Sequence, residues 1–132
     1  MTFAKEMLKA KQTLEKLGHE VNVPLDTESH VKNPKLIDDL ESNYKHAQET
    51  QVMKKCFDLL AKSDAILVLN HTKNGIKGYV GTSSLMEVGL AYYLGKKMFL
   101  LNSLPKSAKY RWVHEVEIMQ PVVINGDLSK IK

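Results

Sequence analysis

The sequence predicts an α/β fold in which helices layer on a mostly parallel sheet of about four strands, and three observations carry that expectation. Ala65-Ile66-Leu67-Val68-Leu69 is apolar at every position, the pattern of a strand covered on both faces. Apolar strand-like runs alternate with stretches of helical periodicity along the chain. A glycine-rich polar loop, residues 71–82, leaves the carboxyl end of the all-apolar strand, where ligands bind in sheets of this kind.

Taken in order, Phe3, Met7, Ala10, Leu14 and Leu17 recur three or four apart, which is one helix face, and Gly18 supplies the left-handed cap. His19 to Pro24 alternates Val21 and Val23 with Glu20 and Asn22, and predicts a short strand ended by proline. Asn33-Pro34 reads as a helix cap followed by proline at the first helical position. It opens a helical region through Leu36, Ile37, Leu40 and Tyr44, with a break near Glu49 and Thr50. Its second half, to about Lys62, places Val52, Met53, Cys56, Phe57 and Leu60 on its apolar face. After the all-apolar strand and its loop, a helix is expected from about Ser83 to Leu94, closed by Gly95, and a further strand over Met98 to Leu101. Pro105 begins a partly helical segment running to about Met119, Pro121 to Asn125 reads as the last strand, and Asn125-Gly126-Asp127 is a turn. Together these describe one domain over residues 1–132, a flavodoxin- or Rossmann-like three-layer sandwich.

Composition narrows the function. The 132 residues are 43% hydrophobic and 26% charged, the balance of a globular domain. The longest apolar run is far below the roughly 20 residues of a membrane-spanning helix, and no signal-peptide core opens the chain, so a cytoplasmic protein is expected. One cysteine, Cys56, forms no intramolecular disulfide and no cysteine-based zinc site, and it reads as a core thiol among apolar neighbours. No metal and no cofactor is implied. The formal charge is +4, yet 18 of the 19 basic residues are lysines spread along the chain, with Arg111 the sole arginine. That distribution is a solvated surface rather than a nucleic-acid track.

The chemistry concentrates between Asn70 and Glu87. Gly75, Gly78 and Gly81 stand three apart, Thr82, Ser83 and Ser84 follow, and Glu87 lies on the opening turns of the helix. Glycines let backbone approach a ligand, and a helix start with hydroxyls can donate to phosphate or sugar oxygens. Tyr79 has two uses, stacking on a base or covering the core. Glu87 also has two. As a free carboxylate it suits attack on an anomeric carbon, where departure of the base leaves an oxocarbenium-like centre. As the fourth residue of Ser84-Leu85-Met86-Glu87 it matches a capping box that merely satisfies the Ser84 amide. Neither the glycine spacing nor the hydroxyl run fits a P-loop or a dinucleotide fingerprint.

Ser63-Asp64-Ala65-Ile66-Leu67-Val68-Leu69-Asn70, then Gly78-Tyr79-Val80-Gly81-Thr82, then Met86-Glu87-Val88-Gly89-Leu90-Ala91 with Gly95-Lys96-Lys97, resembles the nucleoside 2-deoxyribosyltransferase superfamily, which includes deoxynucleoside monophosphate N-glycosidases. The likeness extends over most of the chain. It implies an enzyme, a transferase or hydrolase, acting on a small-molecule nucleoside or nucleotide. Glu87 takes the place of the nucleophile, and Gly81, Thr82 and Ser83 correspond to the family's sugar or phosphate contacts; Asn70, Gly78, Tyr79 and Ser84 complete the substrate-binding set expected of this chain. It also implies a homodimer or larger homo-oligomer. The pattern departs from the family twice. Met1-Thr2-Phe3-Ala4 stands where the family's first strand and turn would be ending, and Cys56 falls near the position of a customary acid, with Asp58 on another face of the helix. A non-catalytic nucleotide-binding or assembly module of the same fold is the alternative.

Overall fold

A computed structural model describes residues 3–24, 27, 44, 45, 48 and 51–132. The chain divides into two compact units, Met1–Leu59 and Leu60–Lys132.

The first unit begins with α1 (Ala4–Lys16), in which Ala4 and Leu14 are buried. The Gly18 amide donates to the Glu15 carbonyl at 3.1 Å and the His19 amide to Leu14 at 3.1 Å. That is a Schellman closure, and it needs the φ of +96° that Gly18 adopts without strain. The strand expected over His19 to Pro24 is absent: the segment is irregular and belongs to no ladder. Its alternation is real, since Val21 and Val23 are half-buried and Asn22 is exposed. Alternation defines two faces but supplies no partner for the backbone, and Pro24 has no N–H to offer one. Thr27 is fully buried, its hydroxyl donating to the Pro24 carbonyl at 2.6 Å. The helix expected to open at Asn33-Pro34 lies outside the described residues, as do Glu49 and Thr50. Next to them Gln51 has a φ of +52°, and α2 (Val52–Lys62) starts at the following residue. Lys54 and Asp58 pair along its exposed side at 2.9 Å.

The second unit takes up the end of α2 and continues with β1 (Ala65–Val68), α3 (Thr82–Tyr93), β2 (Lys97–Leu100), α4 (Arg111–Ile118) and β3 (Val122–Val123). A short 3-10 turn, Leu128–Lys130, follows, with the Asp127 carboxylate accepting from the Ser129 amide at 3.0 Å. Among the described residues the sheet has three strands, all parallel, in the order β1-β2-β3. Each crossover is helical, as parallel pairing requires. Ala65 to Leu67 are half-buried and Val68 buried, so β1 is less fully covered than its apolar run suggests. Val88 on α3, Leu100 on β2 and Val116 on α4 are fully inaccessible and form one core with Val68 and Val80. Ile66, Leu85, Met98 and Trp112 pack around them. Beyond β3 the chain still tracks β2, with the Ile124 amide donating to Leu100 at 2.9 Å and the Gly126 amide to Leu101 at 2.8 Å.

Candidate functional site

The carboxyl ends of β1 and β2 separate into two loops, and Asn70 ties them together. Asn70 and Asn102 stand 32 residues apart, the same offset as each pair of the β1–β2 ladder. Where the backbone ladder stops, side chains continue it. Asn70 Nδ2 donates to the Asn102 carbonyl at 2.7 Å, and the Asn102 amide donates to Asn70 Oδ1 at 2.8 Å. Asn102 Nδ2 returns a bond to the Asn70 carbonyl at 3.2 Å. A second Asn70 contact, Nδ2 to the Gly78 carbonyl at 3.4 Å, reaches into the loop itself. The Asn70 side chain is fully buried, so it braces the loops from beneath. Asn70→Ala strands the Asn102 amide and is expected to cost about 2 kcal/mol, read as a lower urea midpoint.

Between Asn70 and α3 the loop has internal structure. Lys73 and Ile76 exchange both backbone hydrogen bonds, at 2.9 and 3.1 Å, around Asn74 and Gly75, whose φ angles are +54° and +73°. Two central residues of positive φ mark a type I′ turn, for which Asn-Gly is the preferred pair. Gly78 then passes against the segment after β2. Its φ is +75°, and a Cβ there would overlap the Ser103 carbonyl oxygen. Tyr79 meets Trp112 edge-on, with ring centroids 6.1 Å apart, while Lys73 Nζ lies 5.7 Å from the Tyr79 centroid. Tyr110 adds a tilted ring at 6.3 Å from Trp112. Tyr79 is thus half-buried in a small aromatic cluster that anchors the loop to the start of α4.

Gly81 is the N-cap of α3, and no side chain caps that end. Thr82, Ser83 and Ser84 fill the first turn, with Thr82 and Ser83 exposed and Ser84 half-buried. Because the helix starts two residues before Ser84, Glu87 lies in the second turn, about 7.5 Å along the axis from Thr82. A capping box is therefore excluded: Ser84 is already inside the helix. Ser83 and Ser84 precede Glu87 by four and three residues, which puts all three on one helix face, with Glu87 leaning toward the helix start. Glu87 also flanks the buried stripe of Val88 and Ala91. Its carboxylate is half-buried, makes no hydrogen bond or ion pair with the described residues, and has its pKa pushed above the usual carboxylate range by desolvation.

A cleft of about 320 Å3 opens at the ends of β1 and β2, lined by His71, Thr72, Lys77, Gly78, Asn102 and Ser103. Of the sequence-predicted contacts only Gly78 lines it. Asn70 lies beneath it, Tyr79 joins the aromatic cluster, and Gly81 to Ser84 with Glu87 occupy the start of α3. The wall from Asn102 and Ser103 has no local motif to reveal it, since it enters through a register set by residues 32 positions away. A second hollow of about 250 Å3, between the end of β2 and the α4–β3 junction, has Leu100, Leu104 and Val123 beside Glu117. Among the described residues no group of three or more histidine, cysteine or carboxylate side chains could hold a metal ion, and no helix is long and apolar enough to cross a membrane. Comparison with known protein families, with curated proteins and with solved structures finds no match for this chain.

Proposed function

We propose that this chain cleaves or transfers the N-glycosidic bond of a nucleoside or its 5'-monophosphate, on a flavodoxin- or Rossmann-like three-layer sandwich, with Glu87 as nucleophile. The observation that supports this most is Glu87 itself: a half-buried carboxylate with no partner among the described residues, no capping duty, and Ser83 and Ser84 on its face of the helix. Structural carboxylates at such depth are normally paired, so an unpaired one held at a desolvation cost is a functional candidate. In the reaction the Glu87 carboxylate forms a bond to the anomeric carbon as the carbon–nitrogen bond breaks. The electron pair leaves with the base, which takes up a proton, and water or a second base then displaces the glutamate.

The test is chromatographic detection of free base after incubation with deoxyribonucleosides and with their 5'-monophosphates, beside Glu87→Gln. Base release by the wild type that vanishes in the variant is the expected result. Folded protein that releases no base from any of them removes the proposal. One observation favours the second reading, a non-catalytic nucleotide-binding module: the cleft at the strand ends does not include Glu87. Saturable nucleotide binding without turnover is its signature.

We also propose self-association. Met86, Tyr92, Tyr93 and Leu94 are exposed along and just beyond α3, with Tyr93 84% accessible, and large apolar groups left in solvent suit an interface between copies. Light scattering at micromolar concentration should give at least twice the chain mass; a single-chain mass overturns the expectation.

A further inference from the structure

We propose that the cleft between the β1 and β2 loops is a binding site for a phosphate-class anion, a role independent of Glu87. Every lining side chain is polar, none is acidic, and Lys77 contributes a cation. The Lys77 ammonium and the Thr72 and Ser103 hydroxyls make no bond with any described residue, so their donors are available to a ligand. The lining therefore disfavours cations, which find no carboxylate, and apolar groups, which would leave these donors unsatisfied. The second hollow differs on both counts, having Glu117 and an apolar wall.

The cleft is also held in shape before any ligand arrives. Asn70 bonds to both the Gly78 and the Asn102 carbonyls, and Gly78 sits so close to Ser103 that only glycine fits. Both walls are thus fixed from beneath, and the entropy lost on closing over a ligand is small. Charge-assisted bonds from Lys77, with the Thr72 and Ser103 hydroxyls as further donors, are the means by which proteins hold phosphate.

The experiment is a nitrogen-15 amide titration of the whole chain with inorganic phosphate, the ionic strength being held constant with sodium chloride. Saturable shifts are expected in His71 to Gly78 and in Asn102 and Ser103, with a Kd of about 1 mM, a modest affinity fitting a few hydrogen bonds. Lys77→Met should weaken binding about tenfold, the loss of one charge-assisted hydrogen bond, and Lys130→Met should leave it unchanged. A 5'-deoxynucleotide that binds tighter than phosphate and displaces it assigns the site to a phosphomonoester; one that binds no tighter assigns it to free phosphate. Absence of saturable shifts up to about 50 mM phosphate, or equal binding by Lys77→Met, overturns the proposal. Glu87→Gln should bind phosphate as the wild type does, so loss of base release and loss of this site are read separately.

Discussion

Glu87→Gln is expected to lower base release by about a thousandfold or more, because an amide cannot form the glycosyl ester that splits the reaction into two steps. The same variant should be more stable than the wild type at neutral pH. Burial holds the Glu87 pKa above the ordinary carboxylate range, so the native chain binds the proton more tightly than the unfolded chain does. As pH rises from that ordinary range through the folded pKa, the unfolded state releases its proton first and wild-type stability falls. Above the folded pKa the whole desolvation penalty is present, and glutamine does not carry it. Urea midpoints at about pH 7.5 should therefore favour Glu87→Gln, with the gap closing by about pH 3.5, where the carboxyl is neutral in both states. Base release by the wild type should in turn fall on acidification at a pH above that of an ordinary glutamate. A wild type more stable than the variant at neutral pH would mean that the carboxylate is held by a partner, and would return Glu87 to a structural role.

Gly78→Ala should destabilise the chain by about 3 kcal/mol or more, against about 1 kcal/mol for Gly75→Ala. The comparison isolates the cause. Both glycines have φ above +70°, so alanine meets the same left-handed backbone penalty at each. At Gly75 the new methyl enters open space, whereas at Gly78 it meets the Ser103 carbonyl oxygen and Leu104 Cα, backbone atoms that cannot rotate away. The excess at Gly78 measures how firmly the loop is pinned to the exit of β2. Equal losses in denaturant titrations would show that Ser103 yields freely.

The elements legible in the sequence were those whose signal is local. Gly18, placed after an apolar stripe at helical spacing, is a cap in the structure for the expected reason, its positive φ and the two bonds that close α1. The strand at Ala65 and the helix after the glycine loop appear within a residue or so of their expected limits. His19 to Pro24 failed because two alternating valines specify faces and leave pairing open. The Ser84 to Glu87 match failed on a competing local choice: Gly81 is extended and starts the helix earlier, so Thr82 and Ser83 take the first turn. For the site, the loop and its glycines were readable, but not the opposite wall. Asn70, an expected substrate contact, also braces two loops, and that role was not readable because its partners at Asn102 follow from strand register. Ser103 gains its place in the cleft by the same route.

The strand order has a consequence for how the sheet assembles. With β1, β2 and β3 adjacent in the order in which they occur along the chain, each new strand adds beside the one just made. The first ladder bond must still close a span of 32 residues, an entropic toll of roughly 3 kcal/mol from its length-dependent part alone. Helix α3 lies within that span, and early helix formation there shortens the distance β2 must search. Synthesis and sheet growth thus run in one direction among these strands, and none of them must wait, edge exposed, for a partner emerging out of turn.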